Sequence, residues 1–236
     1  MADSLLERVK MTTQLQQKIS QKEVTIHTAK TQIKGDLSVP QNCKGIIIFA
    51  HGAGSSRFSL RNKHVAQILQ NSGFATLLMD LLSENEDQID RYTRKLRFDI
   101  PLLAGRVNTA TEWILNNPKF ENLQIGYFGA STGAAAALVA SMQKPGSIAA
   151  IVSRGGRPDL AQRVLKEVRP PTLLIVGSND TQVIELNRMA LKKLKCKSEM
   201  VIIPGASHLF EESGKLDEVA DHARKWFEEN LISKKR

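Results

Sequence analysis

Cysteine is scarce in this chain: among 236 residues there are two, Cys43 and Cys196. They stand far apart with no metal-ligand spacing, so by themselves they build neither a disulfide framework nor a zinc site, and free thiols are expected. Long apolar runs are also missing, and none approaches the ~20 residues that a membrane-spanning helix needs. The opening Met1-Ala2-Asp3-Ser4-Leu5-Leu6-Glu7 has no basic stretch leading into an apolar one. No secretory leader is therefore expected, and a cytoplasmic location follows. Internal repeats and low-complexity segments are absent as well.

Acidic residues are the minority, 24 Asp and Glu against 33 Lys and Arg, for a formal net charge of +9. An excess of this size can mark a nucleic-acid surface. Here the basic residues are scattered apart from Lys192, Lys193, Lys195, Lys197 and the closing Lys234-Lys235-Arg236, and no nucleic-acid motif accompanies them. The excess is read as a solvated basic face with a basic tail, and no specific nucleic-acid partner is expected. The hydrophobic share of 42% and the charged share of 24% are those of an ordinary globular protein. The length suits one large α/β domain.

Residues Ser4 to Lys18 are polar, with Leu5, Leu6, Val9 and Leu15 near helical spacing, which suggests a helical arm over 1–20 and a possible docking element. The main domain is placed at 21–232 and the basic tail at 233–236. From Glu23 the pattern alternates: Val24, Ile26 and Thr28, then Ile33, Leu37 and Val39 after a polar turn, which predicts an antiparallel hairpin at a sheet edge. Beyond Pro40, apolar runs at 45–50, 74–80, 123–128, 148–152, 172–176 and 199–203 have the length and Val/Ile/Leu content of strands buried on both faces. Helical stretches are expected between and after them, near 63–72, 98–116, 132–142, 159–167, 184–194 and 216–231, with 83–95 as the longest flexible loop. This order predicts a mostly parallel sheet of about eight strands, helices on both faces, and a site at the carboxyl ends of the strands.

At one such end lies Gly129-Ala130-Ser131-Thr132-Gly133, between an apolar run and an Ala-rich helix former. Small flanking residues permit a tight strand-to-helix turn that lifts the central serine clear of the sheet. A serine hydroxyl becomes a nucleophile when a neutral imidazole can take its proton and a carboxylate holds that imidazole. His208, in "PGASH", follows the last strand run. His27 falls in the hairpin, His64 opens a helix, His222 is mid-helix, and His51 belongs to a loop where it reads as a structural residue. Asp180, in "VGSND", is the candidate carboxylate, with Asp159 after the preceding strand as an alternative. The oxyanion of a tetrahedral intermediate needs preorganised donors. The glycine-rich His51-Gly52-Ala53-Gly54 loop and the start of the Ala-rich helix supply them, through the N–H groups of Ala53 and Thr132.

The serine elbow, the His-Gly loop, the Asp after the penultimate strand and the His after the last one resemble the α/β-hydrolase superfamily over about Glu23 to Leu231. The small layout with a minimal lid is similar to its dienelactone hydrolase-like branch, although that branch's namesake carries a cysteine where Ser131 stands. The resemblance implies the α/β-hydrolase fold and a carboxylic ester hydrolase. The nucleophile is then Ser131, the base His208 and its partner Asp180, with an oxyanion hole at Ala53 and Thr132, and neither metal nor cofactor is needed. Esters, lactones and thioesters are all cleaved by such a set. Arg57, Arg154 and Arg157 sit near the expected active edge, as does Arg61, and a guanidinium fork matches an anionic group, which adds a possible acidic substrate. The competing class is a binding or scaffolding protein that keeps the fold without chemistry. Retention of Ser, Asp and His together weighs against it.

Overall fold

The order of apolar runs in the chain reappears as a doubly covered sheet in the structure, a computed structural model that describes residues 18–232. The expected arm lies outside the described residues except at its end, where the first strand already begins at Ile19; the basic tail lies outside them too. Strands β1 (Ile19–His27) and β2 (Gln32–Pro40) form the antiparallel hairpin, and β2 joins β4 antiparallel. The remaining strands, β3 (Ile46–Ala50), β4 (Ala75–Met79), β5 (Ile125–Ala130), β6 (Ile148–Arg154), β7 (Thr172–Gly177) and β8 (Ser198–Ile203), pair parallel with one another. The eight strands are ordered β1-β2-β4-β3-β5-β6-β7-β8. Strands β3, β4, β5 and β7 are buried along their whole length, because helices cover both faces.

On one face α1 (Leu60–Asn71) and α6 (Lys215–Leu231) close a core around Phe49, Phe128, Val65, Leu69 and Phe227. On the other face lie α3 (Ile100–Leu115), α4 (Thr132–Gln143) and part of α5 (Thr181–Lys193), packed around Ile48, Tyr127, Val107, Leu138 and Ala190. Nothing but the backbone of the sheet separates the two cores.

Two segments depart from the sequence expectation. The stretch expected as a flexible loop at 83–95 contains α2 (Glu84–Thr93). The Ser83 hydroxyl accepts from the Glu86 N–H while the Glu86 carboxylate accepts from the Ser83 N–H, a capping box spelled out by Ser-Glu-Asn-Glu. Three acids in the first turn favour the helix further. Conversely, the helix expected at 159–167 is only a short 3-10 turn, Pro158–Ala161, followed by further turns. Asp159, suited to a helix's first turn, gives both carboxylate oxygens to Arg157 instead, and no side chain caps the segment. Ala161, Leu165 and Val168 still reach the core, so the burial pattern is helical where the backbone is not.

Candidate active site

Strands β3, β5, β7 and β8 end at the same edge of the sheet, and each delivers a loop to it. At the end of β5, Ser131 takes φ 50° and ψ −120°, a backbone conformation that side chains other than glycine rarely adopt. Close packing enforces it. A Cβ on Gly129 would lie 2.4 Å from the Ala134 Cα, and one on Gly133 would lie 2.2 Å from the Ala50 carbonyl oxygen. The loop after β6 locks the turn from the other side: the Ser131 N–H donates to the Arg154 carbonyl at 3.2 Å, and the Arg157 N–H donates to the Ser131 carbonyl at 3.1 Å.

His208 follows β8 and Asp180 follows β7. His208 Nδ1 and Asp180 Oδ2 are 2.5 Å apart, which suits an Nδ1–H donating to the carboxylate and leaves Nε2 as an acceptor. Asp180 is the acid at this histidine; Asp159, the alternative, is engaged with Arg157. The histidine's loop is itself held, because the Ser207 N–H donates to both oxygens of Glu212 at 3.0 and 3.1 Å. Gly155 lies against this histidine at φ 52°, a conformation that favours glycine, and a Cβ there would sit 3.2 Å from the His208 carbonyl oxygen and in ordinary contact with the ring. Ser131 and His208 share one cavity of about 200 Å³, whose wall also includes Gly52, Ala53, Arg61, Asn62 and Arg154.

The N–H of Thr132 begins a helix and has no partner within it. Among the described residues, neither it nor the Ala53 N–H donates to a backbone acceptor. His51 is 7% exposed and uses both ring nitrogens, Nδ1 at 2.9 Å from the Gly52 carbonyl and Nε2 accepting from the Leu81 N–H at 3.0 Å. Burial lowers its pKa, against the Gly52 carbonyl and the Asp80 and Asp87 carboxylates. This histidine therefore braces the glycine loop against the end of β4, as a neutral imidazole.

The arginines divide sharply. Arg57 donates to Asp80 through its backbone and Nη1, to Asp36 through Nε at 3.3 Å and to Glu23 through Nη2 at 2.8 Å. Arg157 forks onto Asp159 with both contacts at 2.8 Å. Sequence reasoning named both as candidate substrate contacts; neighbouring carboxylates occupy their forks, with Arg57 tying the glycine loop to Asp80, Asp36 and Glu23 while the Arg157 fork stays within its own loop. Arg154 is 6% exposed and, among the described residues, has no carboxylate partner. Asn62, Gly155 and Asn187 were missed from sequence; Asn187 donates to the Gly156 carbonyl at 3.0 Å from mid-helix, where nothing local signals such a role.

Beside the small cavity, and sharing Gly52, Ala53, Ser55 and Ser59 with it, runs an open groove of about 1320 Å³. Its walls include Thr132, Leu103, Asp80, Arg97 and residues of α2. Among the described residues no helix is long and apolar enough to cross a membrane.

A model of the dienelactone hydrolase family matches residues 33–231. Among solved structures, a dienelactone hydrolase from Anabaena variabilis is 52% identical, with a TM-score of 0.89 over 90% of this chain and 99% of its own. An esterase of Pyrococcus furiosus, 16% identical, shares the fold with a TM-score of 0.74 over 93% of this chain and 94% of its own. A protein of Mycobacterium tuberculosis H37Rv, whose name marks it provisionally as a phosphoribosyl transferase, is 48% identical over 209 residues. Those residues are 89% of this chain and 46% of that protein, so the chain spans about half the length of the curated relatives it matches.

Proposed function

Because the chain belongs to the dienelactone hydrolase family, we propose that it is a serine hydrolase that cleaves a carboxylic ester or related acyl bond of a small molecule. The observation that carries the proposal is the Ser131 elbow, held at positive φ in one cavity with a histidine whose Nδ1 is held by an aspartate. Ser131 Oγ attacks the carbonyl carbon while His208 Nε2 takes its proton. Asp180 keeps the proton on Nδ1 and stabilises the imidazolium that forms. The tetrahedral oxyanion receives the N–H groups of Ala53 and Thr132, reinforced by the amino-terminal end of α4. Collapse breaks the bond to the leaving group, which departs with the proton from Nε2. Water, giving its proton to the same nitrogen, then attacks the acyl-serine, and collapse releases the acid and returns the proton to Ser131.

The open groove, with no large lid among the described residues, suits small or partly solvated substrates rather than long acyl chains. The phosphoribosyl transferase name attaches to a protein of which this chain matches less than half, and the side chains gathered at Ser131 are those of acyl chemistry. The test is labelling of the full chain with a fluorophosphonate probe. Wild type should label, while Ser131→Ala and His208→Ala should not. A folded wild type that stays unlabelled would replace this reading with a binding protein of the same fold.

A further inference from the structure

Many of the lysines look scattered along the chain, but the topology of the sheet collects a set of them. Strands β3, β5, β6, β7 and β8 lie side by side and run parallel. The segments that lead into them therefore meet along one edge, opposite the edge that holds Ser131. Each segment brings a cation: Lys44 before β3, Lys119 before β5, Lys144 before β6, Arg169 before β7, and Lys195 and Lys197 before β8. Backbone bonds fix the ends of the row, with the Lys44 N–H donating to the Gly73 carbonyl beside β4 and the Thr172 N–H, at the start of β7, donating to the Lys197 carbonyl. Neighbouring strands are ~4.8 Å apart, so the row is roughly 20 Å long. Its charges thus lie within about two Debye lengths of one another in physiological salt and act together. Glu121 is the only acid in the sequence of residues 41–45, 116–124, 144–147, 168–171 and 194–197. Lys144 meets Glu112 and Lys197 meets Glu229, whereas Lys44, Lys119, Arg169 and Lys195 are exposed and, among the described residues, make no ion pair.

The opposite edge is balanced: Arg57, Arg97 and Arg157 sit against carboxylates there, and the loops after β7 and β8 add Asp180, Glu211 and Glu212. The net charge of +9 is therefore distributed unevenly, and the chain is polarised along its strands. Lysines in the last turn of a helix complement its dipole, which accounts for Lys192 and Lys193 in α5 but not for a row along the strand starts. Two exposed apolar side chains stand at the same edge. Leu115, 48% exposed, ends α3, and Ile232, 36% exposed, follows Leu231, which packs where β3 and β5 begin at Gly45 and Gly126. We infer that this edge is a docking surface for an anionic lipid bilayer, with its lysines and arginine over the headgroups and Leu115 and Ile232 entering the interface. A single-stranded nucleic acid would instead call for exposed aromatic rings on which bases stack. Among the described residues the exposed aromatics are Phe58, Tyr92 and Phe98, in the loop after β3, in α2 and just beyond it, on the far side of the molecule. Docking in this orientation leaves the edge with Ser131 facing water, about the length of a six-residue strand, ~20 Å, from the headgroups.

The surface stands whether or not Ser131 is reactive, and its test uses no substrate. The full chain is sedimented with vesicles of phosphatidylcholine alone and with vesicles of phosphatidylcholine and phosphatidylglycerol in equal parts, at low and at physiological salt. The mixed vesicles should bind at least about tenfold more tightly than the neutral ones, and added salt should weaken the binding. Lys44→Glu, Lys119→Glu and Lys195→Glu combined should remove that preference. Lys30→Glu, Lys63→Glu and Lys95→Glu combined change the net charge equally on the other side of the molecule and should keep most of it. Leu115→Ser with Ile232→Ser should weaken binding severalfold at unchanged charge. If circular dichroism shows that the first triple variant does not fold, Gln at the same three positions should weaken the preference in its place. Equal binding to the two kinds of vesicle would overturn the surface, as would equal losses in the two triple variants. A preference that survives the first triple would assign it to other charges, Lys234, Lys235 and Arg236 included, and overturn it too. Tighter binding to polyuridylate than to the mixed vesicles, with no effect of the serine pair, would give the edge to nucleic acid instead.

Discussion

Ser131 pays for its exposure with backbone strain. A side chain at φ 50° costs on the order of 1 kcal/mol or more, which glycine would not incur. Ser131→Gly should therefore unfold in urea with a stability equal to or about 1 kcal/mol above wild type, while losing all fluorophosphonate labelling. A clear loss of stability would mean that the hydroxyl, not the packing around it, holds the turn. Asp180→Asn preserves shape but removes the charge that fixes the imidazole, and esterase activity should fall on the order of 10⁴-fold with little change in KM. His51 gives a pH signature of a different kind. The folded protein holds its pKa below the ordinary value, whereas the unfolded chain takes up a proton near pH ~6.5. Between those two values the unfolded state binds more protons, so the His51 contribution is complete above the unfolded value and is lost as pH falls below it. His51→Gln should be less stable than wild type at pH 8, and the gap in urea midpoints should narrow at pH 5.5; a gap that widened in acid would contradict a neutral buried imidazole.

Helix α2 forms a wall of the groove and depends on few residues. Its mean character is polar, Asp90 is its only buried residue, and its start is fixed by Ser83 and Glu86. Glu86 also receives Arg106 Nη2 at 2.6 Å, while Arg106 Nη1 donates to Thr28 Oγ1, so one carboxylate joins α2, α3 and the end of the β1–β2 hairpin. Ser83→Ala should cost about 1 kcal/mol for the lost cap. Glu86→Ala removes the reciprocal half of the box and leaves Arg106 without its acid, and should cost about 2 kcal/mol. Urea denaturation measures both. Should the two costs be equal, the Arg106 contact would contribute nothing.

For the molecule as a whole, the sheet serves as floor to both cores, so neither face can melt without exposing the other. The two tryptophans report on opposite faces, Trp113 in α3 packed against one core and Trp226 in α6 buried in the other. Trp113→Phe and Trp226→Phe, each leaving a single fluorophore, should show urea transitions of the same steepness whose midpoint matches that of circular dichroism on the same variant. Separate midpoints would show two independently melting layers. Phe227, which packs against the sheet at Gly126, is the most direct test of the α6 face. Its replacement by Ala should cost roughly 3–5 kcal/mol and displace both probes together.

Most of the architecture was legible in the chain alone. Runs of Val, Ile and Leu separated by helical segments specify parallel strands covered on both sides, since only that arrangement buries them, and the edge hairpin was announced by its alternation. The meeting place of the candidate residues was legible too, because sharp turns at strand ends demand particular small residues around Ser131, and loops at the carboxyl ends necessarily meet at one edge. Helix α2 was also written locally, in the box of Ser83 and Glu86, beneath a polar composition that looks like a loop. What tertiary structure alone decided was pairing across long sequence separations. That Asp180 rather than Asp159 meets His208, that Arg57 is taken up by carboxylates of β1, β2 and the segment after β4, and that among the described residues Arg154 is left buried beside Arg61 without one, all depend on distances between segments far apart in the chain. Charges of one type look alike in sequence; which of them finds a partner is set by the packing of the elements that carry them.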